Sequence, residues 1–118
     1  MEAFENLDIW KKSSILAVNL YKTLRDCKDY SLKDQVIRSA FSISSNIAEG
    51  FERNSNKQFA QFLQIAKGSC GELRSQLYIC KEIGLLTEEQ ARTFQKEATE
   101  ISRMIYGLIR HCRRIAEH

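Results

Sequence analysis

Residues 59–80 read FAQFLQIAKGSCGELRSQLYIC, and Phe59, Leu63, Ala66, Cys70, Leu73, Leu77 and Cys80 recur there at alternating spacings of four and three. That period holds these side chains on one side of an α-helix; a strand, whose side chains alternate at every residue, would scatter them over both faces. Just upstream, Ser55-Asn56-Lys57-Gln58 has the pattern of a capping box, so the helix starts there. Gly84 follows as the stop signal, because glycine adopts the left-handed turn that ends helices.

The same period returns on both sides of this segment. Over 8–26, Ile9, Trp10, Leu16, Ala17, Leu20, Tyr21 and Leu24 form a broad stripe, with Asn6 or Asp8 as its cap. Over 32–49, Val36, Ala40, Ile43 and Ile47 predict another helix, opened by Ser31 and closed by Gly50 in a left-handed cap. Thr87-Glu88-Glu89-Gln90 is a second capping box. It opens a helix whose seam runs Ala91, Phe94, Ala98, Ile101, Ile105, Leu108, Cys112, Ile115. No segment alternates with period two. Short turns make neighbouring helices antiparallel, so the expected fold is all-α: one up-down-up-down four-helix bundle over 1–118.

A chain of 118 residues is enough for one core. With 43% hydrophobic and 28% charged residues it is not a disordered chain, and the absence of proline excludes collagen-like and proline-rich readings. The net charge is +3, with the excess in the second half: residues 103–118 hold four arginines against one glutamate. Cys27, Cys70, Cys80 and Cys112 form no C-x-x-C and no ligand spacing with His111 or His118, so no metal or cofactor is expected. The start, Met1-Glu2-Ala3-Phe4-Glu5, lacks the basic and apolar regions of a signal peptide, and no apolar run reaches membrane-spanning length. The expectation is a cytoplasmic protein with reduced thiols and no membrane partner.

Apolar residues also lie outside the narrow seams: Ile9 and Leu16; Ile37 and Phe41; Phe62, Ile65, Ile79 and Ile83. That extra width predicts self-association, the alternative being a monomer with wide stripes. Gly68, Ser69, Cys70 and Gly71 are small and suggest close approach to the second helix at Ala40, Ser44 and Ala48. No strand precedes them and no Gly-Lys-Ser/Thr follows, which excludes a phosphate loop.

Two polar patterns bear on function. The second helix carries Gln35, Arg38, Ser42, Ser45 and Glu49 at spacings of three and four, with Asn46 beside them; the third carries Ser69, Glu72 and Gln76. If these lines face each other, Arg38 can pair with Glu72 or Glu49 in a network that fixes helix register or a subunit contact. A ligand site or plain solvent exposure are the alternatives. The second pattern is basic: Lys67, Arg74 and Lys81 recur every seven residues, and Arg92, Lys96, Arg103, Arg110 and Arg113 follow on the fourth helix, with Arg114 adjoining and Tyr106 between. Such a stripe suits phosphates without sequence preference, and Tyr106 can stack on a base. Pairing with acidic neighbours, such as Lys96 with Glu100, would mute it.

Catalysis is not expected. Arg113-x4-His118 has a spacing found in some small helical ribonucleases, but the histidine is the last residue, where chains fray. There is no Ser-His-Asp set and no carboxylate pair in an evident cleft.

Phe4-x-x-Leu7-x-Ile9-Trp10, Gln35-x-x-Arg38-x-x-x-Ser42 and Ser45-Asn46-Ile47-Ala48-Glu49-Gly50 resemble the four-helix proteins of intervening sequences in bacterial 23S ribosomal RNA genes. Phe59-x-x-Phe62-Leu63-x-Ile65-Ala66-x-Gly68-Ser69-x-x-Glu72-x-x-x-Gln76-Leu77 continues the match. More distantly, the chain is similar to the accessory variability determinant of diversity-generating retroelements. The resemblance implies a left-handed antiparallel bundle, a homopentamer and no assigned catalytic residues. For the retroelement relatives it implies binding of nucleic acid and a reverse transcriptase through a basic surface; for the intervening-sequence members it implies an RNA or ribosome link. The chain departs from the pattern at the Asp26–Tyr30 turn, where Phe-Pro is usual, and at Ser39, where a basic residue is usual.

These readings predict a non-enzymatic, homo-oligomeric bundle associated with RNA. The alternatives are a protein-only adaptor or assembly module and, more remotely, a small helical ribonuclease.

Overall fold

The helix boundaries follow from how free backbone groups are satisfied. In the computed structural model, which describes residues 3–117, a 3-10 turn at Phe4–Asn6 leads into α1 (Asp8–Leu24), α2 (Tyr30–Glu52), α3 (Asn56–Glu82) and α4 (Glu88–Ala116). Ser55 accepts from the Gln58 N–H to open α3, and at α4 both halves of the Thr87–Gln90 capping box are made, each at 3.0 Å. Between them Gly84 has φ 82°. The Leu85 N–H donates to the Cys80 carbonyl at 2.9 Å and the Gly84 N–H to that of Lys81 at 3.2 Å, the paired bonds of a Schellman ending.

Three expected boundaries differ. Neither Asn6 nor Asp8 caps α1: Leu7 is the N-cap, without a side-chain bond, because the Phe4–Asn6 turn already delivers an extended residue there. Asp29, not Ser31, caps α2, its carboxylate accepting from the Leu32 N–H at 3.2 Å. Gly50 does not end α2. It is helical and buried, while Asn54, at φ 55°, takes the left-handed position in the turn. A Cβ on Gly50 would lie 2.6 Å from the Phe62 Cβ and 3.1 Å from the Phe59 ring, so glycine is needed there for close approach.

Each helix packs on its sequence neighbours, α1 closes on α4, and the diagonal pairs do not meet. Two of the pairings are antiparallel by paired contacts: on α2 and α3 Ser42 meets Ser69 while Gly50 meets Phe59, and on α3 and α4 Tyr78 shares a recess with Arg92 while Lys57 shares one with Arg113. The result is a rod of 49 × 21 × 20 Å. The α2 and α3 seams are buried as expected. On α4 the seam drifts: Ile109, not Leu108, is buried and Ile115 is exposed, because a straight helix of 3.6 residues per turn slips against a strict seven-residue repeat. On α1 Ser13 lies in the stripe, donating back to the Trp10 carbonyl, while Trp10 is half-buried and Tyr21 exposed.

Of the surplus apolar residues, Ile9 and Leu16 belong to the core, Ile37 and Phe62 are half-buried, and Phe41, Ile65, Ile79 and Ile83 are exposed. Gly68 and Gly71 do not mediate the α2–α3 approach. They point away from it, with nothing within 4 Å of where a Cβ would lie; Gly50 makes that contact instead.

Candidate nucleic-acid interface

The polar lines of α2 and α3 do face each other, but a hydroxyl relay rather than an ion pair joins them. The Asn46 amide donates to the Ser42 carbonyl at 2.8 Å and to the Ser42 hydroxyl at 3.0 Å; Ser42 and Ser69 share a bond of 2.8 Å, and the Ser69 hydroxyl donates to the Ile65 carbonyl at 3.2 Å. Each hydroxyl has one proton, so the chain runs from Asn46 through Ser42 and Ser69 to Ile65. Arg38 pairs with neither Glu72 nor Glu49. It is exposed, and Glu49 is held by Arg53 at 2.9 Å. Ser45 is exposed as well. Gln35, Arg38, Ser39, Glu72 and Gln76 surround the two serines in a recess of about 310 Å³. The Gln76 side-chain carbonyl is buried there without a donor.

The basic residues are brought together by α3 and α4. Antiparallel packing sets Arg74 of α3 beside Arg92, Lys96 and Arg103 of α4 around a recess of about 520 Å³. The Gln95 side-chain amide spans the two helices, donating to the Arg74 carbonyl at 2.7 Å. Toward the α3–α4 corner, Tyr78, Lys81 and Arg92 line a second recess; at the far end Lys57 and Arg113 line a third. Lys67 and Arg110 lie on the same two helices between these points. The three recesses follow one another along the α3–α4 groove and are lined by Arg74, Lys81, Arg92, Lys96, Arg103 and Arg113 of the two predicted stripes.

Few carboxylates neutralise it. Glu100 borders the groove but turns to Lys12 of α1, at 3.3 Å, and the expected Lys96–Glu100 pair is not formed. Arg92 meets Glu88 at 3.6 Å, both well exposed, and the half-buried Lys81 meets the exposed Glu82 at 3.5 Å, so both pairs are of small energetic value. Among the described residues Lys67, Arg74, Lys96, Arg103, Arg110 and Arg113 take part in no ion pair. Sequence spacing found the stripes but missed Lys57, Gln95 and Tyr78. The signals available were the capping segment that places Lys57 at a helix start and the i, i+3 spacing of Tyr78 and Lys81.

The thiols on α3 and α4 are not activated as nucleophiles. Burial pushes the Cys70 thiol up to about 12, against the lowering pull of Arg74 and Lys67, so at neutral pH it stays protonated. Burial also raises Cys80, with smaller contributions from Cys27 and Asp29, and Cys112. His118, on which the ribonuclease spacing rests, lies outside the described residues. Among the described residues no three His, Cys, Asp or Glu side chains gather as a metal site requires, and no helix is long and apolar enough to cross a membrane.

Fold and groove together define a helical-bundle protein with one cationic long side. The sequence profile of the 23S rRNA-intervening sequence protein family matches residues 5–107, and the chain belongs to that family. In structure it is similar to a protein of unknown function from the S23 ribosomal protein family of Bacteroides thetaiotaomicron VPI-5482. That similarity has a TM-score of 0.79 and 30% identity, over 86% of this chain and 97% of the other. No curated protein matches the chain.

Proposed function

We propose that the protein is a non-enzymatic, cytoplasmic scaffold that associates with RNA along the α3–α4 groove. The observation that carries this is the convergence of separately spaced cations on the α3–α4 groove, where Glu100, the acid lining the recess of Arg74, Lys96 and Arg103, is engaged by Lys12. Phosphates would be held by charge alone, so binding would be salt-sensitive, with log K falling by about 0.7 per contact per tenfold salt on a single strand. Fluorescence anisotropy with labelled RNA at two salt concentrations tests it. Arg74→Glu with Arg103→Glu should abolish binding at low salt while leaving the helical CD signal and Tm unchanged. No binding by the unaltered protein at low salt would overturn the reading.

The protein acts as a homo-oligomer, a pentamer by family likeness. Exposed Ile65, Ile79 and Ile83 of α3 and the donorless Gln76 carbonyl favour a covering partner along that helix. Light scattering that finds a concentration-independent 13.7 kDa species refutes it. The same exposed residues favour the second reading, a protein-only adaptor, for which partner capture must survive nuclease treatment.

A further inference from the structure

The groove offers more than charge. Tyr78 is 57% exposed and Tyr106 52% exposed, although tyrosine rings usually bury most of their area. Each ring has a cation over it: Lys81 Nζ lies 4.8 Å from the Tyr78 centroid, and the Arg110 guanidinium 5.9 Å from that of Tyr106. Tyr78 shares its recess with Arg92, and Arg92 and Tyr106 stand about 14 residues apart on α4, roughly 21 Å at 1.5 Å per residue. Tyr78 thus stands in the groove beside Lys81 and Arg92, Tyr106 follows three residues after the groove-lining Arg103 on α4, and Arg74 lies on the stretch between the two rings.

We infer that the groove takes a single-stranded polynucleotide, with bases stacked on Tyr78 and Tyr106 and the intervening phosphates on the cations. This rests on the proposed function and narrows its ligand. Rings and cations in alternation match the strand's own alternation of base and phosphate, and base stacking on exposed aromatics is tolerant of sequence. A duplex hides its base faces inside the stack, so away from its ends it would gain no stacking from either tyrosine.

The test compares labelled single-stranded 12-mers of RNA and DNA, an abasic 12-mer and a blunt duplex of the same length, by anisotropy at low salt. The intact strand of the preferred polymer should bind at least fivefold tighter than the abasic strand or the duplex. Tyr78→Ala and Tyr106→Ala should each weaken single-strand binding about fivefold or more and leave abasic binding unchanged, with Phe at either position restoring it. Equal binding of intact, abasic and duplex forms, with unaltered affinity in both Ala variants, overturns the stacking inference and leaves the charge-based reading standing. If none of the probes binds, both fall.

Discussion

α3 meets its two neighbours in different ways. Toward α2 the chains come close enough that Gly50 has no room for a methyl group, and the polar atoms between them spend themselves on one another through Asn46, Ser42 and Ser69. Toward α4 the outer side chains are long and cationic; among the described residues Gln95 alone bridges to backbone, and most of the charge has no internal partner. Similar helical spacings of polar residues thus lead to opposite outcomes. Short side chains can satisfy one another within a contact, and long charged ones must face water or a ligand. The first interface fixes register; the second remains available for binding.

The largest expected effect comes from the tight contact. Gly50→Ala places its methyl against Phe62, an overpacking cost of about 1–3 kcal/mol that offsets and exceeds the helix-propensity gain. Denaturant melts should show a net loss; an unchanged midpoint would mean that α2 and α3 are not so close. Gly68→Ala and Gly71→Ala sharpen the contrast, because on an open surface each should gain about 1 kcal/mol. A loss at either position would reveal that a second chain packs there.

Ser69→Ala, which strands the Ser42 hydroxyl, should cost about 1 kcal/mol by the same melts, whereas Arg38→Ala should stay within about 0.5 kcal/mol. The reverse ranking would restore the ion-pair network that the sequence suggested. The smallest effect concerns Glu97, outside both interfaces. Burial, then Glu100, raises its carboxyl above the ordinary value, with Lys12 opposing. A carboxyl that holds its proton more tightly when folded loses stability as pH rises through the carboxylate range, and the cost is complete at neutral pH. Glu97→Gln should therefore raise stability by a few tenths of a kcal/mol at pH 7, with the gain vanishing in acid, as thermal melts at both pH values would reveal.

The bundle was legible because burial repeats every turn: the seams of α2 and α3 needed only spacing, and the Thr87 box and Gly84 stop are purely local devices. Gly50 was misread because a glycine near a helix end looks the same whether it supplies a left-handed turn or clearance for a neighbour, and only the position of Phe62 decides. Gly68 and Gly71 were misread in the converse sense. Arg38 shows a similar limit, since spacing tells which residues share a helix face but not whether a long side chain lies down or points to solvent. The basic stripes were visible separately. Their merger into one groove depended on the antiparallel offset that sets Arg74 beside Gln95, a quantity no single helix contains.

The corner between α3 and α4 has a further consequence for how the rod comes apart. Gly84 closes one helix and Thr87 opens the next with all their bonds made inside a handful of consecutive residues, so this hairpin carries its own instructions and pays little chain entropy to form. It is the element best suited to survive when the first two helices peel away, and its amide protons should be the last to exchange. A half-opened molecule would then keep the α3–α4 groove intact.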